Sequence, residues 1–280
     1  MAENCTHDCS NCGESCSSRR EPQSLLVKPH KDSHIKKIIA VVSGKGGVGK
    51  SSVTAQLAVM MQRKGYKTAI LDADITGPSI PRAFGVNEEP KNEGDYIYAV
   101  ETKSGIKVMS INLLIGDEMT PVIWRGPIIA GAVKQFYTDV IWGDIDYMFV
   151  DCPPGTGDVP LTVFQSLPVD GVIVVTTPQD LVSMIVGKAV RMVDDMGIPI
   201  IGMIENMSYF KCPDCGKAHD IFGKSRLEEV MKELYIGKAT RLPVSPQLAG
   251  LIDKGSIEDM EDNELLEFAD LLADESTFGD

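Results

Sequence analysis

The chain has 280 residues, of which 43% are hydrophobic, and a formal net charge of −13 at neutral pH. This length allows one large α/β domain with an ample core and some appended segments. The negative charge disfavours a nucleic-acid surface, which needs a basic patch, and it disfavours an anionic membrane surface. No apolar run approaches the roughly 20 residues of a membrane-spanning helix, and the first residues lack the apolar stretch of a signal peptide. We therefore expect a cytoplasmic protein without nucleic-acid or membrane partners.

The first 34 residues are polar and contain a cluster of cysteines. Cys5, Cys9, Cys12 and Cys16 have the spacing C-x₃-C-x₂-C-x₃-C. In a reducing compartment, cysteines are more often metal ligands or buried thiols than disulfides. Four thiols so close in sequence form a compact ligand set for a [4Fe–4S] cluster. Zinc binding and a metal-scavenging tail remain alternatives for this segment.

From residue 36 onward, short apolar runs alternate with helical patterns. Strands are predicted at 38–42, 68–71, 108–111, 147–150, 172–176 and 200–204, and helices at 52–64, 128–140 and 181–196. Several of the runs are almost wholly apolar, which is typical of strands buried on both faces of a parallel sheet. Residues 96–100 are expected to pair with 106–111 as a hairpin. The fold class predicted is α/β, with a doubly wound, mostly parallel sheet that binds ligands at the carboxyl ends of its strands.

A glycine-rich loop, SGKGGVGKSS at 43–52, follows the first predicted strand directly. It matches G-x-x-x-x-G-K-[ST], in which backbone N–H groups and a helix N-terminus converge on phosphate. Glycines allow the backbone to curl where a Cβ would collide with the ligand. We expect Lys50 to reach the β- and γ-phosphates of a nucleotide and Ser51 to ligate Mg²⁺. The residues expected to contact the nucleotide are Gly44, Lys45, Gly46, Gly47, Val48, Gly49, Lys50, Ser51 and Ser52.

Aspartates at two predicted strand ends favour nucleotide hydrolysis. Asp151 ends an apolar strand and precedes the turn CPPGTG, so its carboxylate suits the outer shell of Mg²⁺, with a solvated aspartate before a turn as the alternative. In that turn, the Gly155 N–H is expected to sense the γ-phosphate, and Cys152 is expected to be a buried thiol. Asp72 and Asp74 follow the second strand at i and i+2, on one side of an extended chain. We assign Asp74 to the attacking water and Asp72 to structure or the metal's outer shell, with capping or turn roles as alternatives.

A second cysteine motif, CPDCG, lies at 212–216. Cys212 and Cys215 can chelate one metal, and Gly216 relieves crowding as N–H groups turn toward sulfur. Two thiolates are too few for zinc or for a [4Fe–4S] cluster. His219 could add a third ligand, but two-fold symmetry would supply the cysteine pair twice. A cluster on a dimer axis is therefore the main interpretation, while a zinc site or an unligated or redox-active pair stays open.

In combination, five segments resemble the Mrp/ApbC family of iron–sulfur cluster carrier ATPases over residues 36–256. They are GKGGVGKS at 44–51, WRGP at 124–127, DCPPGTGD at 151–158, ENMS at 205–208 and CPDC at 212–215. The resemblance includes the cytosolic scaffold branch that has an N-terminal cluster, although the leader cysteines here are more tightly spaced than usual in that branch. It implies that Cys212 and Cys215 of two subunits hold a [4Fe–4S] cluster for transfer to apoproteins. It also implies that Asn206, at a strand end, contacts adenine, and that Pro243 lines the base pocket; a turn or cap role for Asn206 is the alternative.

The loop also resembles the deviant P-loop class of MinD, ParA and the nitrogenase iron protein. In that class, the lysine at the position of Lys45 contacts the nucleotide of the facing subunit. The resemblance thus implies a homodimer that encloses ATP, with Lys45 acting much as an arginine finger does. A MinD-like or ParA-like positioning ATPase would need a membrane helix or a DNA-binding face. An electron-transfer ATPase like the nitrogenase iron protein would use two widely separated single cysteines per subunit.

These patterns divide the chain into three predicted parts. Residues 1–34 are the cysteine-rich segment and linker, and 35–256 are the deviant P-loop ATPase domain. Residues 257–280 contain ten acidic residues and no lysine or arginine, with apolar residues at helical spacing, so an acidic helix or tail is expected. Lys45, Lys50, Asp74 and Asp151 are the expected catalytic residues.

Overall fold

The computed structural model describes residues 24–74, 79–94, 96–115, 126–179 and 184–278. The strands are β1 (Ser33–Ser43), β2 (Thr68–Asp72), β3 (Asn92–Glu93), β4 (Tyr96–Tyr98), β5 (Val100–Glu101), β6 (Lys107–Ser110), β7 (Val140–Ile141), β8 (Gly143–Asp151), β9 (Gly171–Thr176), β10 (Ile200–Lys211), β11 (Ala218–His219) and β12 (Ala239–Pro243). The α-helices are α1 (Lys50–Arg63), α2 (Ser79–Phe84), α3 (Asn112–Ile115), α4 (Gly126–Thr138), α5 (Asp158–Ser166), α6 (Met184–Asp195), α7 (Leu227–Glu233), α8 (Pro246–Asp253) and α9 (Leu266–Ala273). Short 3₁₀ turns cover Ile257–Asp259 and Glu275–Phe278. The predicted leader cluster at Cys5, Cys9, Cys12 and Cys16 and the Trp124–Arg125 part of the family motif lie outside the described residues.

The central sheet has the order β11–β10–β9–β1–β8–β2–β6–β5, with β12 beside β10. The pairings from β12 to β6 are parallel, and only the edge pairs β10–β11 and β5–β6 in this sheet are antiparallel. The parallel register aligns Asp72 with Asp151, and Val41 with the same aspartate from the other side. The carboxyl ends of β1, β2 and β8 therefore meet at one edge, as ligand sites of doubly wound sheets require.

Successive side chains along each strand point to opposite faces of the sheet, so the core has two layers. In β1, Ile38 and Ala40 pack on the face covered by α4, α5 and α6, while Ile39 and Val41 pack on the face covered by α1 and the C-terminal segment. All four are at most 2% exposed, because both faces of a parallel sheet carry helices. The predicted doubly wound, mostly parallel α/β fold is confirmed.

Two predicted elements differ from the structure. The predicted hairpin of 96–100 with 106–111 is wrong for its first half: β4 joins a separate sheet with β3 and β7, and only β5 pairs with β6. Short alternating runs do not reveal which of two nearby edges they join, since that choice depends on tertiary contacts. The strand predicted at 200–204 extends to Lys211, so Asn206 lies within a strand rather than at its end.

The acidic C-terminal segment packs against α1. Arg63 donates to Asp262 at 2.9 Å and to the Glu258 carbonyl at 2.9 Å, and Tyr147 donates through its hydroxyl to the Leu272 carbonyl at 2.7 Å. Phe268 and Leu272 are on the buried face of α9. This packing places residues 259–264 along α1, with Asn263 bonded to Gln56 midway along the helix and Asp262 bonded to Arg63 at its end. Within the part of the chain that the structure describes, no helix combines the length and apolarity needed to cross a bilayer.

Candidate nucleotide site and cysteine hairpin

The glycine-rich loop turns between β1 and α1 by means of two left-handed glycines. Gly47 and Gly49 both have φ +78°, a conformation that costs a side-chain-bearing residue free energy. A Cβ on Gly49 would lie 2.2 Å from the Asn206 side-chain nitrogen. That nitrogen donates to the Val48 carbonyl at 2.9 Å, and Asn206 is 8% exposed. The asparagine on β10 is thus held directly against the loop, and only glycine at 49 leaves room for it.

Lys50 lies at the centre of the loop, between two of the predicted catalytic carboxylates. Its Nζ is 2.7 Å from Asp151 Oδ1 and 3.6 Å from Asp74 Oδ2, and Lys50 is 5% exposed. Burial by itself lowers the lysine pKa, but the Asp151 and Asp74 carboxylates outweigh it, and the pKa of Lys50 is raised. Lys50 therefore keeps its positive charge at the point where the loop converges, which favours an anion such as phosphate.

Asp151 also connects the strand end to the first turn of α1. The Ser51 hydroxyl donates to Asp151 Oδ2 at 2.5 Å, and the Thr54 hydroxyl donates to Oδ1 at 2.9 Å. A serine hydroxyl and a carboxylate in contact are oxygen ligands of the kind that Mg²⁺ accepts, directly or through water. The Ser51–Asp151 pair is therefore compatible with the predicted metal position. Thr54 was missed from the sequence, although its i+4 spacing from Lys50 on one helix face was a usable signal.

Asp72 is almost completely buried, like Asp151, but its hydrogen bonds come from neutral groups. It accepts hydrogen bonds from the Ser110 hydroxyl at 2.9 Å and from the Asp74 backbone N–H at 3.0 Å, and it is 2% exposed. Burial raises the pKa of the Asp72 carboxyl well above its usual range, and the neighbouring Asp151 raises it further, against the opposing Ser110 hydrogen bond. The structural role weighed for Asp72 accounts for both of these hydrogen bonds.

This raised pKa leads to a prediction about stability. The folded chain retains the Asp72 proton at pH values where the unfolded chain has lost it, so this group makes stability fall as pH rises above the ordinary aspartate pKa. Asp72→Asn retains the shape without the charge, and it should reduce the fall in the free energy of unfolding between about pH 5 and 8. Urea unfolding across that range measures the slope. The exposed Asp194→Asn variant is the control, and equal slopes for wild type and Asp72→Asn would contradict the prediction.

The turn after Asp151 is bonded to the loop by its backbone. The Gly155 N–H, predicted to sense a γ-phosphate, donates to the Ser43 carbonyl at 2.8 Å in this structure. The Ser43 hydroxyl donates in turn to the Lys45 carbonyl at 3.0 Å. Contact of Gly155 with phosphate would require this bond to break, so the turn has two alternative partners. Cys152 is completely buried as expected, and burial raises the pKa of its thiol to about 12.

Two cavities, each lined in part by α8, lie near the loop. A cavity of about 380 Å³ is lined by the loop from Lys45 to Ser52 and by Asp74 and Arg82. A cavity of about 530 Å³ beside it is lined by Asn206, Pro243, α8 and residues 259–264. In the second, the buried Gln56 accepts a hydrogen bond from Asn263 at 2.7 Å and donates to the Ser52 carbonyl at 3.2 Å. Gln56 and Asn263 carried no sequence signal, because they meet only when the C-terminal segment packs on α1. The first cavity is lined by the residues predicted to bind phosphate, and the second by Asn206 and Pro243, the residues predicted to contact the base.

Cys212 and Cys215 occupy a hairpin at the end of β10. The Cys212 N–H donates to the Lys217 carbonyl at 3.0 Å and the Gly216 N–H donates to the Cys212 carbonyl at 2.9 Å, with Gly216 at φ +71°. Backbone N–H groups of Cys215 and Asp214, and the Cys215 thiol, bond to the Cys212 sulfur and lower the pKa of Cys212. Cys212 is half-buried, Cys215 is exposed, and both are free thiols. The hairpin thus presents two free thiols to the surface, and its backbone favours the thiolate form of Cys212.

The cysteine pair has no further ligand among its described neighbours. Within those residues, no group of three or more His, Cys, Asp or Glu side chains is placed to hold a metal ion, so His219 does not complete the site. A cavity of about 490 Å³ lies beside Cys212 and shares Pro243 and residues 245–247 of its lining with the candidate base cavity. One short segment therefore lies between the two candidate sites.

The sheet, the loop and the Lys50–Asp151–Ser51 cluster define a P-loop NTPase. A family model described as ParA, the NUBPL iron-transfer P-loop NTPase, matches residues 34–275, and the chain belongs to this family. An iron–sulfur cluster carrier protein of Methanococcus maripaludis is 44% identical over 262 residues, covering 91% of this chain and 90% of that one. The predicted resemblance to iron–sulfur cluster carriers is thereby confirmed.

Solved structures agree with this assignment. The nucleotide-binding protein of Archaeoglobus fulgidus in complex with ADP has a TM-score of 0.75 and 42% identity, covering 84% of this chain and 92% of that one. MinD of Pyrococcus horikoshii, complexed with Mg-ADP, has a TM-score of 0.57 and 21% identity, covering 86% and 96%. At that identity, the likeness to MinD shows the fold alone.

Proposed function

We propose that this protein is an ATP-hydrolysing carrier that binds [4Fe–4S] clusters and transfers them to apoproteins in the cytoplasm. One observation carries the proposal: within the described residues, a complete phosphate loop is combined with half of a cluster ligand set, Cys212 and Cys215 on a surface hairpin. The relative from Methanococcus is named for cluster carriage. A half-site at the surface suits cargo that must be released, since a resident cofactor is normally enclosed.

The nucleotide would occupy the two neighbouring cavities. The phosphates fit the loop, where Lys50 supplies the charge, and the base fits the cavity lined by Asn206 and Pro243. Ser51 and Asp151 would hold Mg²⁺, which neutralises phosphate charge when bound. Asp74, 3.6 Å from Lys50, is placed to orient a water for attack on the terminal phosphate.

The cargo would bridge two subunits of a homodimer. Two copies of Cys212 and Cys215 supply four thiolates, whereas the hairpin of one subunit supplies two. Lys45 is exposed on the loop, unlike the buried Lys50, and it lines the phosphate cavity from outside. We propose that it contacts the nucleotide of the partner subunit and stabilises charge developing during hydrolysis. The leader cysteines Cys5, Cys9, Cys12 and Cys16 remain a predicted second cluster site, one per subunit.

The test is anaerobic reconstitution with iron and sulfide, followed by transfer to an apo-ferredoxin. The double variant Cys212→Ser/Cys215→Ser should lose the bridging cluster and at least about nine-tenths of transfer, since neither subunit then supplies thiolates at the hairpin. The leader cysteines are replaced by serine both in the chain with an intact hairpin and in the double variant, so that the measured cluster content reports on the hairpin site alone. Iron content, the absorbance of the cluster and acceptor activity are measured.

Cys152→Ala is the matched control, because Cys152 is a buried thiol in the same chain. It should retain both cluster and transfer. Equal cluster content and equal transfer by the hairpin variant would contradict the proposed function. A monomeric chain when loaded with cluster and ATP, measured by light scattering, would contradict the bridging arrangement.

A further inference from the structure

A buried carboxylate with unusual partners lies beside Asn206. Glu205 is completely buried and accepts hydrogen bonds from Ser208 at 2.5 Å and from Ser225 at 3.0 Å. Arg241 Nε is 3.3 Å from Glu205 Oε2 and donates to the Ser208 hydroxyl at 2.7 Å. A buried carboxylate is costly unless it is paired and hydrogen-bonded. These contacts stabilise Glu205, and the catalytic set described above does not use it.

The residues around Glu205 come from three segments of the chain, and each segment is connected to a different part of the two candidate sites. On β10, Glu205 directly precedes Asn206, which contacts the phosphate loop, and the same strand leads to Cys212. Ser225 belongs to the segment that follows the cysteine hairpin. Arg241 lies on β12, two residues before Pro243, which lines both the candidate base cavity and the cavity beside Cys212. The Glu205 carboxylate thus contacts β12 and the segment after the cysteine hairpin, and it lies on β10, which leads to Cys212.

The strand between the two sites is irregular where this network lies. Met207 has φ +53°, and the register of β10 against β12 shifts between Glu205 and Tyr209. Such a bulge re-aims the strand and costs free energy that neighbouring contacts must offset. Ser208 spans it by bonding back to Glu205, and the Arg241 guanidinium lies 5.5 Å from the centre of the Tyr209 ring.

A further contact extends the network toward the hairpin. Arg241 Nη2 is 3.4 Å from Asp220 Oδ1, directly after β11, which closes the cysteine hairpin. A guanidinium can hold two carboxylates in fixed geometry because its donors form a rigid fork. Arg241 is therefore bonded both to the buried Glu205 and to the base of the cysteine hairpin.

We propose that Glu205 and Arg241 are positioning residues that couple nucleotide occupancy at the loop to the geometry of the Cys212–Cys215 hairpin. The proposal rests on the proposed function for its nucleotide site, and it adds the residues through which that site acts on the thiols. Displacement of Asn206 by a bound nucleotide moves the β10 bulge, and the Glu205–Arg241 contacts transmit this to the hairpin and to the Pro243 segment.

The test measures the reactivity of Cys212 in the full, metal-free, reduced chain. Its alkylation by iodoacetamide is followed by site-resolved mass spectrometry without nucleotide and with saturating Mg-AMP-PNP. In the wild type, nucleotide should change the alkylation rate about fivefold or more, the lower end of ordinary coupling between sites. We define the ratio as the Cys212 alkylation rate with nucleotide over the rate without it. In Glu205→Gln and Arg241→Met, at nucleotide concentrations that saturate each variant, this ratio should be within about twofold of one.

Arg226→Met is the matched control, since Arg226 forms an exposed ion pair with Glu229 outside the network. It should keep the wild-type ratio. If Glu205→Gln does not fold, Arg241→Met and Ser225→Ala decide the result. If Glu205 and Arg241 have a purely structural role, their variants melt at lower temperature but keep the wild-type alkylation ratio. That outcome overturns the proposal, and so does a ratio of one in the wild type. If nucleotide changes the alkylation rate of Cys212 in the wild type but the wild type transfers no cluster, the coupling is supported and the proposed function is contradicted.

Discussion

Lys50→Met should weaken nucleotide binding by about 100-fold or more, the effect of roughly 3 kcal/mol of lost charge-assisted hydrogen bonding. Lys50 is the buried cation between Asp151 and Asp74. Without it, two carboxylates face the phosphates, so repulsion adds to the lost attraction. Titration with a fluorescent ADP analogue measures the dissociation constant, and circular dichroism shows whether the variant is folded.

Lys45→Met is the matched control for this experiment. Lys45 is exposed on the same loop, and in the proposed dimer it acts on the partner's nucleotide. Its removal should leave ADP affinity within a few-fold of wild type and reduce ATP hydrolysis by about 1,000-fold, the lower end of the effect of an arginine finger. Tight nucleotide binding by folded Lys50→Met would contradict the loop assignment, and full hydrolysis by Lys45→Met would contradict the action in trans.

Gly255→Ala should destabilise the fold by about 3 kcal/mol, because left-handed strain and overpacking both apply. Gly255, just after α8, has φ +66°, and a Cβ there would lie 2.5 Å from the Gly85 Cα. Gly85 follows α2 and also has a positive φ, so two glycines allow the backbones of these segments to touch. The contact fixes α8, which lines both the phosphate and the base cavities.

Gly197→Ala isolates the strain from the overpacking. Gly197 has φ +68°, and a Cβ there would meet nothing within 4 Å. It should cost about 1 kcal/mol from the backbone conformation alone. Urea unfolding gives both free energies, and Gly255→Ala should in addition weaken ADP binding while Gly197→Ala should not. Equal costs for the two variants would contradict the close contact as the cause.

Local signals in the sequence were enough to predict the strands of the central sheet and the phosphate loop. The apolar runs predicted β1, β2, β8 and β9 because a doubly covered parallel strand must be apolar on both faces. The loop was predictable because glycines, Lys50 and Ser51 act at fixed spacing along one turn. The hairpin prediction failed because β4 pairs with β7, a strand distant in the sequence, while β5 alone pairs with the nearby β6.

The sequence by itself determined the chemistry of this protein: a phosphate loop, strand-end carboxylates and paired thiols, each encoded by a few neighbouring residues. Tertiary structure alone decided how these parts are joined. Asn206 reaches Val48, and Glu205 reaches Arg241, only after β10 pairs with β9 and β12 and turns at its bulge. These contacts join residues far apart in sequence. Burial of the apolar faces aligns the strands, and the polar groups that are buried with them need partners.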